Sequence, residues 1–135
     1  PIWYRYPMRL FFSHPLTLGK GENEDKQMWT LWEEGMKAMA AEKHVSVKLS
    51  QLSFCKKGWE KNVEDEKLAK KIARRVIEIF GVDRCMFATN FPVDRFFGVE
   101  MDVLYKSFDD WTNDFSHSDR QALFGGNAKR VYRLE

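Results

Sequence analysis

Apolar positions along the chain recur with two different periods, and their alternation predicts the elements. Residues 8–13, Met-Arg-Leu-Phe-Phe-Ser, form a short apolar run that stops at His14-Pro15 and reads as a strand. Residues 16–26 are polar, carry two glycines and read as a loop. From 27 to 42 the period becomes helical: Trp29, Trp32, Met36, Met39 and Ala40 fall on one face at three- and four-residue spacing. Gly35 lies inside that stretch and costs about 1 kcal/mol relative to alanine, unless it permits close packing. Residues 45–50 alternate, with Val45, Val47 and Leu49 on one face and Ser46, Lys48 and Ser50 on the other. A loop over 51–62 carries Trp59. The helix predicted over 64–80 lines one side with Leu68, Ala69, Ile72, Ala73, Val76, Ile77 and Phe80 and ends at Gly81, a suitable C-terminal cap. A strand over 85–89 follows closely. A helix over 101–114 turns Leu104, Phe108 and Trp111 inward. Ser116 then caps a last helical segment, broken near Gly125-Gly126 and ending at Tyr132.

Strand and helix alternate throughout, which indicates right-handed βαβ units and a parallel sheet. The fold class predicted is therefore α/β in one domain, with parallel strands at 8–13, 45–50 and 85–89. In such sheets the chemistry sits at the carboxyl ends of the strands. Arg84-Cys85-Met86-Phe87-Ala88-Thr89-Asn90-Phe91-Pro92-Val93-Asp94 reads as a buried strand leaving the sheet at that end, so Asn90 stands where a side chain can face a site.

Composition narrows the picture. The 135 residues are 44% hydrophobic and 15% aromatic, enough for a core and too apolar for a disordered tail. Net charge is +2, with acids and bases interleaved and no basic block, which argues against nucleic acid. No apolar run approaches the roughly 20 residues of a membrane span. Of the two cysteines, Cys85 lies in an apolar strand and reads as a core residue, while Cys55 sits in a polar loop. Neither spacing nor context suggests a metal pair or a disulfide scaffold, and an intracellular, reducing compartment is expected. The chain starts with proline, which suggests processing or a piece of a longer protein.

The run HVSVKLS, the helix leading into FGVDRCMFATNFPVD, the ending FGGNAKRVYRL and the tryptophan-glycine-methionine pattern of WTLWEEGMKAMA together resemble the amidohydrolase-related family. That is the lactone hydrolase and decarboxylase branch of the amidohydrolase superfamily. The resemblance implies a TIM-type (β/α)8 barrel of about twice this length, of which this chain holds the C-terminal portion, three βα units. It also implies zinc or manganese in a full-length barrel. The family's His-x-His has no counterpart here, because His14, His44 and His117 are the only histidines. No metal ligand set is therefore expected in this chain.

The resemblance places His14 where the family has a strand-end histidine, and Asn90 where it has a metal-binding or water-activating aspartate. Asparagine has no basic site near neutral pH and is a weak neutral ligand. His14 and Asn90 are the candidate catalytic residues. Lys48, Ser50 and Asp94 are candidates for binding a small acidic or lactone substrate. Four of them have a structural alternative: His14 as an isolated histidine, Asn90 as a strand-end amide on local backbone, Lys48 in an interior ion pair, and Asp94 paired with Arg95. Asn127, Arg130 and Tyr132 read as a structural motif that docks the last helix.

Two functions follow. In one, the chain is part of a hydrolase in which water attacks an ester carbonyl and positive charge stabilises the oxyanion. In the other it is a non-catalytic remnant acting as an interaction subunit. Three parallel strands cannot close a barrel, so either a missing barrel half or a partner protein must cover the sheet edges.

Overall fold

The computed structural model describes residues 22–134. The strand expected at 8–13 and His14 lie outside the described residues. The elements are α1 (Glu22–Ala41), β1 (Val47–Leu49), α2 (Leu52–Cys55), a 3-10 turn (Trp59–Lys61), α3 (Val63–Phe80), a second 3-10 turn (Val82–Arg84), β2 (Cys85–Phe87), α4 (Val93–Phe96), α5 (Met101–Trp111), α6 (His117–Gln121), a π-helical turn (Ala122–Gly126) and α7 (Asn127–Tyr132).

β1 and β2 pair in parallel, with Val47 opposite Cys85, Lys48 opposite Met86 and Leu49 opposite Phe87. The ladder runs on past the strands, since Ala88 N–H donates to Leu49 O at 3.1 Å. α3 is the crossover between them. Its start is fixed by Asn62, whose Oδ1 accepts from the N–H groups of Glu64 and Asp65 at 2.9 and 3.2 Å. Its apolar face buries Ala69, Ile72, Ala73, Val76, Ile77 and Phe80 against the strands and α1. It stops at Gly81, whose φ of 82° suits a residue without Cβ. Cys85 is fully buried beneath this face, and burial pushes its thiol up to about 12, so it is a core residue.

A band of aromatics continues the core. Phe87 stacks on Phe108 at 4.3 Å between centroids, Phe108 meets Trp111 edge-on at 5.7 Å, and Trp111 meets Trp59 at 5.6 Å. Such rings bury more apolar area than any other side chains and add directional contacts. Trp59, expected in a loop, is completely buried.

Arginines fasten the helices from outside. Arg75 Nη2 meets Glu33 Oε1 at 2.5 Å, joining α3 to α1. Arg74 donates to both carboxylate oxygens of Asp114 at 2.6 and 2.8 Å. Arg84 donates to Phe80 O and Ala40 O, each at 2.9 Å, and to Glu42 O at 3.2 Å. These carbonyls lie at the ends of α3 and α1, where helices leave acceptors unpaired. The terminal motif docks as its residue types suggest. Asn127 Nδ2 donates to Val82 O and Cys85 O, each at 2.7 Å, at the entry to β2. Arg130 donates to Asp83 O and to Asn127 Oδ1.

Several boundaries differ from the sequence expectation. α1 starts at Glu22, inside the stretch expected as loop: residues 22–26, Glu-Asn-Glu-Asp-Lys, carry no apolar period to announce a helix, and acidic residues suit a helix's first turn. Gly35 is exposed, and a Cβ at that position would meet nothing within 4 Å, so close packing does not explain it. Cys55 ends a short helix rather than lying in a loop. Both strands are three residues long, and α5 ends at Trp111 rather than at 114. Gly125-Gly126 does not break the final segment. The backbone stays helical through a widened turn, and a Cβ on Gly126 would lie 3.3 Å from Gln121 O.

Two measurements test this packing. Asn127→Ala removes two buried hydrogen bonds and orphans their acceptors, and it should cost about 2–4 kcal/mol in urea unfolding. The second concerns Glu33, whose carboxyl is held at about 2, against an ordinary 4.5, by hydrogen bonds from Arg75 and then Lys37. A folded value below the unfolded one stabilises the fold above about 4.5 and loses that contribution as pH falls through about 2. Arg75→Gln should flatten that stretch of the stability–pH curve, and an unchanged slope would contradict the pairing.

Candidate functional site

Past the strands, the chain turns the same way twice. β1 leads through Ser50 to Gln51, and β2 leads through Ala88 and Thr89 to Asn90. Gln51 and Asn90 both adopt left-handed backbone, at φ of 63° and 53°. That region is costly for residues with a Cβ, less so for asparagine. Strain of this kind clusters where a structure holds side chains for a purpose. The parallel register sets the two residues side by side, and Gln51 Nε2 donates to Asn90 Oδ1 at 3.5 Å.

The turn after β2 is tied locally. Phe91 N–H donates to Thr89 Oγ1 at 3.3 Å, and the Phe91–Pro92 peptide is cis. Val93 and Asp94 N–H groups donate to Asn90 O at 2.9 and 3.4 Å, which opens α4. Asp94 is completely buried, and α4 packs on α2. Burial raises its carboxyl above the ordinary aspartate value, opposed by the Ser53 hydroxyl, the Asn90 amide and the Ser53 backbone N–H. These neighbours lie close enough to favour the charge. Even so, Asp94 Oδ1 and Oδ2, Ser53 Oγ and Asn90 Nδ2 are all buried without a hydrogen bond of normal geometry among the described residues. Four under-satisfied polar atoms at one strand end are unusual in a core.

Ser50 is also here, 6% exposed at the end of β1. Lys48 stands one residue inside β1, exposed, with Nζ 6.0 Å from the centre of the Tyr132 ring. Arg95 does not pair with Asp94. It lies 3.5 Å from Glu100 instead. Gln51 and Ser53 were not among the sequence candidates, although Gln51 follows its apolar strand just as Asn90 follows its own. Glu60, on the connection from β1 to α3, also buries both carboxylate oxygens, with Lys61 Nζ at 3.8 Å from Oε1.

This geometry sits at the carboxyl end of a parallel βαβ unit, and the sequence comparisons agree with it. The family model described as Amidohydrolase matches residues 5–134. The chain belongs to the amidohydrolase family. It is 37% identical over 103 residues to the uncharacterized protein y4mH of Sinorhizobium fredii, covering 76% of this chain and 33% of that protein. Two crystal structures of an amidohydrolase from Burkholderia multivorans match it at 25% identity. The one with bound zinc has a TM-score of 0.75 over 90% of this chain and 41% of its own, and the one with bound HEPES has 0.77 over 91% and 42%. The chain thus spans well under half the length of these relatives.

Zinc in that neighbour makes a metal plausible in the family, but the residues described here do not fit one. Among them no group of three or more His, Cys, Asp or Glu could hold a metal ion. Position 90 offers a neutral amide, and the nearby carboxylate of Asp94 is sealed from solvent. No helix among the described residues is long and apolar enough to cross a membrane.

A carboxyl group whose value is raised by burial destabilises the fold as pH rises through that value, because the unfolded chain ionises more readily. Asp94→Asn should therefore raise the urea midpoint at neutral pH, with the gain fading as pH falls below the ordinary aspartate value of 3.8. A destabilised variant at neutral pH would show that the charged form is well served in the fold.

Proposed function

We propose that the chain forms the C-terminal part of a lactonase-type amidohydrolase barrel, weakly active or inactive by itself. The observation that carries this reading is the cluster of Ser50, Gln51, Ser53, Asn90 and Asp94 at the carboxyl ends of two parallel strands. That is where a barrel of this family builds its site. Asn90 and His14 would touch the substrate. Ser50 would bind its polar groups, and Lys48 would attract a small acidic substrate or the carboxylate product of lactone opening. Asp94 would belong to the same site. The first strands of the barrel would supply the remaining substrate contacts, from further chain or from a partner.

A second reading is supported by one feature. Position 90 carries an amide where the family resemblance implies a carboxylate, and the described residues assemble no metal ligand set. On that reading the chain is a non-catalytic remnant serving as an interaction subunit in a larger assembly, and a partner protein covers its sheet edges.

The test separates the two. The 135-residue chain should bind no zinc or manganese tightly and hydrolyse no lactone, and Asn90→Asp should not rescue it. In the native protein, hydrolysis of a simple lactone should fall about 100-fold or more on Asn90→Ala, the scale of losing one polar contact to the reacting group. Stoichiometric metal in the 135-residue chain, lost on His14→Ala, would overturn this view of what it contains. A native mass near 16.0 kDa with no hydrolysis would favour the remnant.

A further inference from the structure

Asn90 is read from two sides. Gln51 presents an Nε2 donor to its Oδ1 at 3.5 Å. Its Nδ2 is buried with no hydrogen-bond partner among the described residues, and the Asp94 carboxylate, whose two oxygens are orphaned in the same way, lies near enough for the Asn90 amide to favour its charge. The two residues are held together by the backbone bond from Asp94 N–H to Asn90 O at 3.4 Å. An asparagine amide has nearly the same shape either way round, so packing alone cannot decide which end points where. An ionised carboxylate accepts hydrogen bonds and donates none. It therefore selects Nδ2, which leaves Oδ1 toward Gln51, and the Gln51 amide in turn presents its Nε2.

We infer that Asp94 is a positioning residue: it fixes the Asn90 carboxamide with Nδ2 inward, so that Oδ1 faces Gln51 and position 90 offers the site a hydrogen-bond acceptor. This rests on the proposed site and names what that site takes at position 90: a hydroxyl, a water or another O–H or N–H donor, rather than an oxyanion. Ser53 supports the arrangement, since its hydroxyl and N–H face the same carboxylate. It explains why a carboxylate is kept in a fully buried place beside two neutral groups, with Arg95 turned to Glu100. It also assigns the strained backbone of Asn90 a purpose, because that conformation directs the amide between its two readers.

The experiment uses the native protein carrying 15N-labelled asparagine, with the Asn90 side-chain amide signals identified by their loss in Asn90→Asp. Asp94→Leu removes the acceptor, whereas Asp94→Asn retains a weaker, neutral one. The Asn90 amide protons should move upfield and exchange about twofold faster in Asp94→Leu, the effect of losing a contact at the weak end of the hydrogen-bond range. In Asp94→Asn they should move in the same direction by less. The Asn127 amide, donating to Val82 O and Cys85 O, reports whether the fold is intact and should not move. If the leucine variant loses its Asn127 signals, Asp94→Asn decides. Asn90 signals indifferent to position 94 in a folded variant would overturn the inference. Lactone hydrolysis is read separately. An amide that responds in a protein without hydrolysis keeps the positioning role and sinks the hydrolase reading. Intact hydrolysis with an indifferent amide does the reverse.

Discussion

The register of β1 against β2 decides what else this chain can do. Leu49 opposite Phe87, with Ala88 N–H on Leu49 O, brings the two strand ends level. Both strands then leave the sheet through left-handed residues, and those residues touch through their side chains. A shift of one residue would invert the faces of the strand. It would turn Val47 and Leu49 away from α3 and separate Gln51 from Asn90. The apolar match to α3 therefore fixes the polar cluster, although no residue of the cluster belongs to that match. Asn127 guards the same register from the other end, because its amide holds the backbone at Val82 and Cys85 just where β2 begins.

Charge is divided between two zones. The outer helix faces carry hydrogen-bonded ion pairs: Arg75 with Glu33, Arg74 with Asp114, Arg120 with Asp109. Pairs of this kind tie α1 and α5 to their neighbours and individually contribute little where solvent reaches them. Among the described residues, the strand ends hold amides, hydroxyls and the buried carboxylate of Asp94. A lone carboxylate in a core is a liability unless donors reach it. Evolution toward stability alone would replace it, so its presence beside Asn90 argues for a task at the strand end.

The large elements were legible because their signal is periodic. α3 and the inward face of α5 follow directly from apolar spacing, and Gly81 and Ser116 mark ends by local chemistry that sequence preserves. Parallel pairing followed from the alternation of strand and helix. The start of α1 was hidden because charged residues extend a helix without a pattern. The turn at Ala122–Gly126 was misread because glycine breaks a helix only when packing does not hold it. α4 and Trp59 were missed for a related reason: each is placed by tertiary contact, with no period of its own. In the site, Asn90 was found by counting to the end of an apolar run, and Ser50 by sharing the polar face of an alternating strand with Lys48. Gln51 and Ser53 needed the register as well, which sequence states only indirectly.

The burial of Asp94 was the hardest feature to anticipate. Beyond Pro92 the chain looks like an exposed turn, and an aspartate followed by arginine suggests a surface pair. The structure instead turns Asp94 inward at the start of α4, where Phe97 N–H and Val99 N–H both donate to its carbonyl oxygen, at 3.0 and 3.2 Å. Those bonds close the short helix back on its own first turn and bring Val99 into the core. Buried Val99 thus anchors the segment apolarly while Asp94 faces Ser53 and Asn90. This short stretch of sequence carries both functions, one for packing and one for the strand-end amide. A surface-pair reading fails here because the anchor that buries Asp94 comes after it in the chain.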